Sequence, residues 1–157
     1  MKPDSIIFLI ENSAESIYQI EQAFRKAEIL SSMKVARYGN EAILYLKGVG
    51  IYGNRSIYPI PGLIVLDLGL PDGSGLSVLG WIRQQSNFSH IPVISMVRPT
   101  QLKLIQQAFD LGANAYLVKH GNLEELTQLV MSIELMPDLS KQKQSSQSLK
   151  PESSNKS

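Results

Sequence analysis

Leu63-Ile64-Val65-Leu66-Asp67-Leu68-Gly69-Leu70-Pro71-Asp72-Gly73-Ser74-Gly75 is the stretch on which the fold turns. Four apolar residues without a polar break predict a strand covered on both faces, ending in Asp67. Gly69, Pro71, Asp72, Gly73 and Gly75 then predict a turn. Leu76, Leu79 and Ile82 resume helical spacing and predict a helix reaching about Gln85. Asp67 therefore leaves the carboxyl end of a buried strand, the end at which open parallel sheets bind their ligands.

The same unit repeats on both sides. Upstream, Ile6–Ile10 reads as a buried strand, and Ser13 as the cap of a helix carrying Ile17, Ile20 and Phe24 inward, with Glu15 in its first turn. Met33–Tyr38 alternates and reads as a strand, Glu41–Lys47 as a short helix, and 48–61 as a Gly/Pro-punctuated loop. Downstream, Ile91–Met96 reads as a strand. Thr100 is expected to cap a helix with Leu104, Ile105, Ala108 and Phe109 inward, closed by Gly112. Ala115–Val118 is a fifth strand, and Asn122 is expected to cap a last helix carrying Leu126, Leu129, Val130 and Ile133. Strands alternating with amphipathic helices predict a three-layer α/β/α sandwich around a parallel sheet.

Composition narrows the function classes. The chain has 157 residues, 43% apolar and 18% charged, with formal net charge +1. Residues 1–137 carry 11 Lys+Arg against 12 Asp+Glu, and 138–157 carry 4 against 2, so no dense basic patch exists for direct DNA binding. With no cysteine there is no disulfide framework and no thiolate site. No signal peptide or membrane-length apolar run is present, and a cytoplasmic protein is expected. The divisions expected are a leader over 1–4, one domain over 5–136, and a disordered polar tail over 137–157.

The chemistry is expected at the strand ends. Strand 1 delivers Glu11 and Asn12, strand 3 Asp67, strand 4 Val97 and Arg98, and strand 5 Lys119. Carboxylates suit magnesium, which takes few protein ligands and only oxygens. A lysine supplies a point charge for a phosphoryl group. An aspartate beside a bound metal can attack phosphorus and form an acyl phosphate. Other motifs fail on context. Gly48-Val-Gly50-Ile-Tyr-Gly53 matches a dinucleotide fingerprint letter for letter but is followed by Pro59 and Pro61, not by a helix. Gly69 stands where a haloacid-dehalogenase-type phosphatase carries a second aspartate, and His90 and His120 share no ligand spacing.

Four motifs in order resemble the response-regulator receiver family: Ile6-Ile-Phe-Leu-Ile-Glu-Asn12, Leu66-Asp67-Leu-Gly-Leu-Pro71-Asp-Gly-Ser-Gly75, His90-Ile-Pro92-Val-Ile94, and Gly112-Ala-Asn-Ala-Tyr116-Leu-Val-Lys119. The resemblance covers about residues 5–135, and the long loop before strand 3 is similar to that of stand-alone regulators paired with bacterial phytochromes. It implies a flavodoxin-like sheet of order 2-1-3-4-5. Asp67 would be the phosphoacceptor for a sensor histidine kinase or phosphotransfer protein. Glu11, Asn12, Asp67 and the Gly69 carbonyl would hold Mg2+, and Lys119 would bind the phosphoryl oxygens. Val97 and Tyr116 would occupy the switch positions. No activity beyond self-phosphorylation and autodephosphorylation at Asp67 is implied.

This sequence departs from the family pattern at several positions. Asn12 replaces a second acid and is expected to weaken Mg2+. Val97 replaces the switch hydroxyl, and Arg98 replaces a small residue and could bind or shield the phosphoryl group. His120 stands where proline follows the lysine, which makes a cis bond there unexpected. The alternative reading is thus a degenerate receiver, a docking module that works without phosphorylation. Output is expected by contact with a downstream protein through the fourth helix, fifth strand and fifth helix, with Leu102, Tyr116 and Leu123 exposed. A homodimer through that face or the Tyr52–Tyr58 loop is a further expectation.

Overall fold

A computed structural model describes residues 5–119 and 123–134. Five parallel strands, β1 (Ile6–Ile10), β2 (Ser32–Ala36), β3 (Leu63–Asp67), β4 (Val93–Val97) and β5 (Ala115–Val118), form one sheet of order β2-β1-β3-β4-β5. The helices are α1 (Ala14–Lys26), α2 (Gly39–Lys47), α3 (Gly75–Gln84), α4 (Leu104–Leu111) and α5 (Glu124–Glu134). The flavodoxin-like order and the three layers are as expected.

Every residue of β1, β3 and β4 is buried, because helices cover both faces of the sheet. On one face Phe8, Ile10, Ile64, Leu66, Val93 and Val97 meet Tyr45 and Leu46 of α2, Leu79 and Ile82 of α3, and Ala108 of α4. On the other, Ile7, Leu9, Val65, Ile94, Met96 and Leu117 meet Ile20 and Phe24 of α1 and Leu126, Val130 and Ile133 of α5. Each fully buried Val, Leu, Ile, Phe or Met among them contributes about 1.5–3 kcal/mol of burial free energy. Together they fix the register that brings the strand ends into one row.

Ser13 caps α1, its hydroxyl accepting the Ser16 N–H at 3.2 Å. Gly112 closes α4 at φ 110°, a conformation that favours glycine. Three local expectations are corrected. β2 ends at Ala36 rather than Tyr38, because Tyr38 turns out to solvent as the N-cap of α2, which starts at Gly39, two residues ahead of the expected Glu41. β4 runs Val93–Val97, not Ile91–Met96: Pro92 has no N–H for the ladder. Thr100 does not cap α4. It lies inside a 3-10 turn, Pro99–Gln101, and α4 starts later, after Lys103, with no side-chain cap. Asn122, His120 and the 137–157 tail lie outside the described residues.

Two arginines close the loops by donating to carbonyls. Arg83 of α3 donates to Gly112 O at 2.8 Å, Ile91 O at 2.8 Å, Ser89 O at 3.1 Å and Asn114 Oδ1 at 2.8 Å. Asn114 Oδ1 also accepts the Val93 N–H, so one side chain ties α3, the lead-in to β4 and the turn before β5. Arg55 donates to Tyr45 O, Leu46 O and Tyr58 O, sealing the end of α2 against the long loop. That loop folds inward. Tyr52 and Tyr58 pack on Tyr45, which stacks on Phe8 at 4.4 Å and donates its hydroxyl to Pro59 O. The fingerprint-like glycines Gly50 and Gly53 delimit a 3-10 turn, not a helix start. At the opposite end of the sheet from Asp67, Trp81 of α3 packs on Phe88 with ring centroids 6.0 Å apart.

Candidate functional site

Three strand ends converge. Glu11 follows β1 directly, Asp67 ends β3 and Lys119 follows β5, so the order β1-β3-β4-β5 sets the lysine opposite the two carboxylates. Lys119 Nζ lies 2.8 Å from Glu11 Oε1 and 3.4 Å from Asp67 Oδ2. Both carboxylates are buried, at 1% and 5% exposure. Their second oxygens are also held. Ser13 N–H donates to Glu11 Oε2 at 3.1 Å, and Gly69 N–H donates to Asp67 Oδ1 at 2.9 Å. Burial pushes the Glu11 carboxyl above its usual range and the Asp67 charge pushes the same way, while Lys119 and the Ser13 N–H pull it down.

The turn after Asp67 depends on close approach. A Cβ on Gly75 would stand 2.5 Å from Leu68 O and 2.6 Å from Leu68 Cα, both backbone atoms that cannot move aside. Glycine therefore lets α3 start directly beneath the acceptor turn. Asp72 adds an Asx-type closure, accepting from Ser74 Oγ at 2.6 Å, and this bond holds its carboxyl below the usual range.

The donor set suits a hard divalent cation. Two adjacent buried carboxylates carry more negative charge than one lysine offsets, and their oxygens are the ligand type such ions take. Asn12 faces another way. Its Nδ2 donates to Arg37 O at 3.2 Å, and the Arg37 guanidinium donates back to Asn12 O. The amide thus ties the end of β1 to the end of β2. Among the described residues no three His, Cys, Asp or Glu side chains gather into a metal cluster.

Val97 is fully buried in the core beneath α4 and has no polar atom to offer. Tyr116 is half-buried, its ring edge-on to Phe109 of α4 at 5.9 Å. Arg98 is exposed, with Nη2 reaching over Gly69. Of the surface residues expected on the α4–β5–α5 face only Leu102 is strongly exposed. Tyr116 is held by Phe109, and Leu123 packs against the α1/α5 core. In the long loop Tyr52 and Tyr58 point inward, and Val49, Ile51, Ile57 and Ile60 are its large apolar side chains turned to solvent. Two residues near the site escaped the sequence reading: Arg37, which anchors Asn12, and Gln101, which lies on Gly69. Neither carries a motif, and both arrive through loop geometry.

A buried acidic pair bridged by a strand-end lysine, on a flavodoxin-like sheet, defines a phosphoryl-acceptor class of signalling domain. The model of the response regulator receiver domain matches residues 7–131, and the chain belongs to that family. It is 31% identical over 132 residues to response regulator Rcp1 of Synechocystis sp., covering 84% of this chain and 88% of that protein. It is 30% identical over 135 residues to the two-component response regulator ARR7 of Arabidopsis thaliana, covering 82% and 64%. Among solved structures, the phosphorylated cyanobacterial phytochrome response regulator RcpA aligns with TM-score 0.71 at 34% identity, covering 83% of this chain and 91% of that one. The Mn(2+)-bound form of Rcp1 aligns with TM-score 0.70 at 31% identity, with the same coverages. Among the described residues no helix is long and apolar enough to cross a membrane.

Proposed function

We propose that Asp67 takes a phosphoryl group from a histidine kinase or phosphotransfer protein and that the chain then signals by protein contact, in the cytoplasm and without touching DNA. The observation that carries this is Lys119 Nζ standing between Glu11 Oε1 at 2.8 Å and Asp67 Oδ2 at 3.4 Å. Asp67 Oδ1 accepts the Gly69 N–H, and Oδ2 faces Lys119, the cation that would meet the incoming phosphoryl oxygens, which assigns the attack to Oδ2. Its lone pair forms the new O–P bond while the P–N bond of the donor phosphohistidine breaks, and the leaving imidazole takes a proton. Lys119 then moves from Glu11 onto the phosphoryl oxygens, and Arg98 offers a second cationic donor.

Glu11, Asp67 and the Gly69 carbonyl would hold Mg2+, which neutralises the charge of the carboxylates and the incoming anion. With the amide Asn12 beside Glu11 where a second acid would stand, one acidic ligand fewer is available, and the affinity is weaker than a three-acid site would give. Apart from gaining and losing this group the protein turns nothing over. The phytochrome-associated names among its relatives point to a photoreceptor kinase as the donor.

The reading is tested by incubating the protein with Mg2+ and a small phosphodonor and taking an intact mass in acid. One added phosphoryl unit, absent in Asp67→Asn, is expected. No adduct, with a control receiver labelled in parallel, would leave the unphosphorylated docking module as the function.

A further inference from the structure

Gly69 lies two residues beyond Asp67 and binds its carboxylate through the backbone N–H. It has no side chain, yet the space in front of it is filled from elsewhere. A Cβ there would stand 2.8 Å from Gln101 Oε1, 3.0 Å from Gln101 Nε2 and 3.1 Å from Arg98 Nη2. Gln101 reaches this position because Pro99–Gln101 forms a 3-10 turn and its Oε1 accepts the Arg98 N–H at 3.2 Å. The β4–α4 loop is therefore folded down onto the acceptor turn by a glutamine and an arginine. The neighbouring Val97 has no hydroxyl with which to do it.

We propose that Gln101, seated on Gly69 beside Arg98, roofs the acceptor and keeps water from the acyl phosphate, so that this glutamine sets how long the phosphorylated state lasts. The inference rests on Asp67 being the acceptor. Loss of the group requires a water oxygen to form a bond to phosphorus as the P–O bond to Asp67 breaks. The electron pair returns to the carboxylate and the water's proton leaves with the inorganic phosphate. A side chain that fills the approach removes the place where that water would stand. The effect is one of exclusion, and the bond from the Arg98 N–H to Gln101 Oε1 holds the excluding side chain in place. Gln101 is a positioning residue for the cover and takes no part in bond making.

The test follows decay of the acyl phosphate by intact mass after the donor is removed. Gln101→Ala is expected to speed the loss by about threefold or more, equivalent to roughly 0.7 kcal/mol in barrier. Gln101→Leu, which keeps the bulk but loses the bond to the Arg98 N–H, is expected to decay between the parent and Gln101→Ala, and Gly69→Ala, which displaces the roof, to decay faster than the parent. Equal or slower decay in Gln101→Ala would overturn the proposal while the acceptor role stands. If the parent takes up no phosphoryl group, the acceptor reading fails instead. Amide exchange at Gly69 then decides: faster exchange in Gln101→Ala at unchanged Tm supports the roof, and unchanged exchange overturns it.

Discussion

At the residue scale the site is held under electrostatic stress. Glu11 is almost wholly buried and its carboxyl is pushed up, first by burial and then by Asp67, against the pull of Lys119. A carboxyl whose folded value lies above its unfolded one contributes stability that is complete below the unfolded value. That contribution is lost as pH rises through the folded value. Once ionised, Glu11 therefore works against the fold, and above that titration the neutral isostere Glu11→Gln is expected to raise Tm in metal-free buffer by a few degrees while weakening cation binding. The parent's Tm should fall across that titration and the variant's should not, which parallel melts over a pH series would check. A lower Tm in Glu11→Gln above that titration would show that the pair with Lys119 outweighs the desolvation.

At the scale of elements the loops are as determined as the strands, through two arginines. Arg83→Met removes four donated bonds and leaves Gly112 O, Ile91 O and Ser89 O to find water or go unpaired. A loss of about 3 kcal/mol is expected, roughly 10 °C in Tm by calorimetry. Arg83→Lys should recover little, since an ammonium cannot span four acceptors spread over two segments. The strands and helices were legible because their signals are local: the apolar run 63–66 has one reading, as does Gly112 after a helical stripe. Lys119, Glu11 and Asp67 were legible because strand ends are readable once strands are. The failures share a cause. Thr100 has the chemistry of a helix cap, but Pro99 and the reach of Gln101 to the Arg98 N–H tighten the chain into a 3-10 turn first. Asn12 likewise has a partner the sequence does not announce, its Nδ2 donating to Arg37 O, 25 residues on. Arg83 and Arg55 carry no sequence signal, because most of their acceptors are main-chain carbonyls that leave no mark in sequence.

Taken whole, the molecule gathers its candidate site at one end of the sheet and its tryptophan toward the other. Asp67, Lys119 and the Gln101 cover lie where the strands finish. The single tryptophan, Trp81, packs on Phe88 ahead of β4, at the other end of the sheet. The residue directly after Asp67 is Leu68, not an aromatic. The protein's intrinsic fluorescence is therefore a gauge of its floor. Emission should stay within a few per cent of its starting value as cation and phosphodonor are added, and change sharply only when heat or denaturant separates α3 from the sheet. Placing a tryptophan at Leu68 would move the optical reporter to the acceptor and leave the native signal as an internal reference for folding.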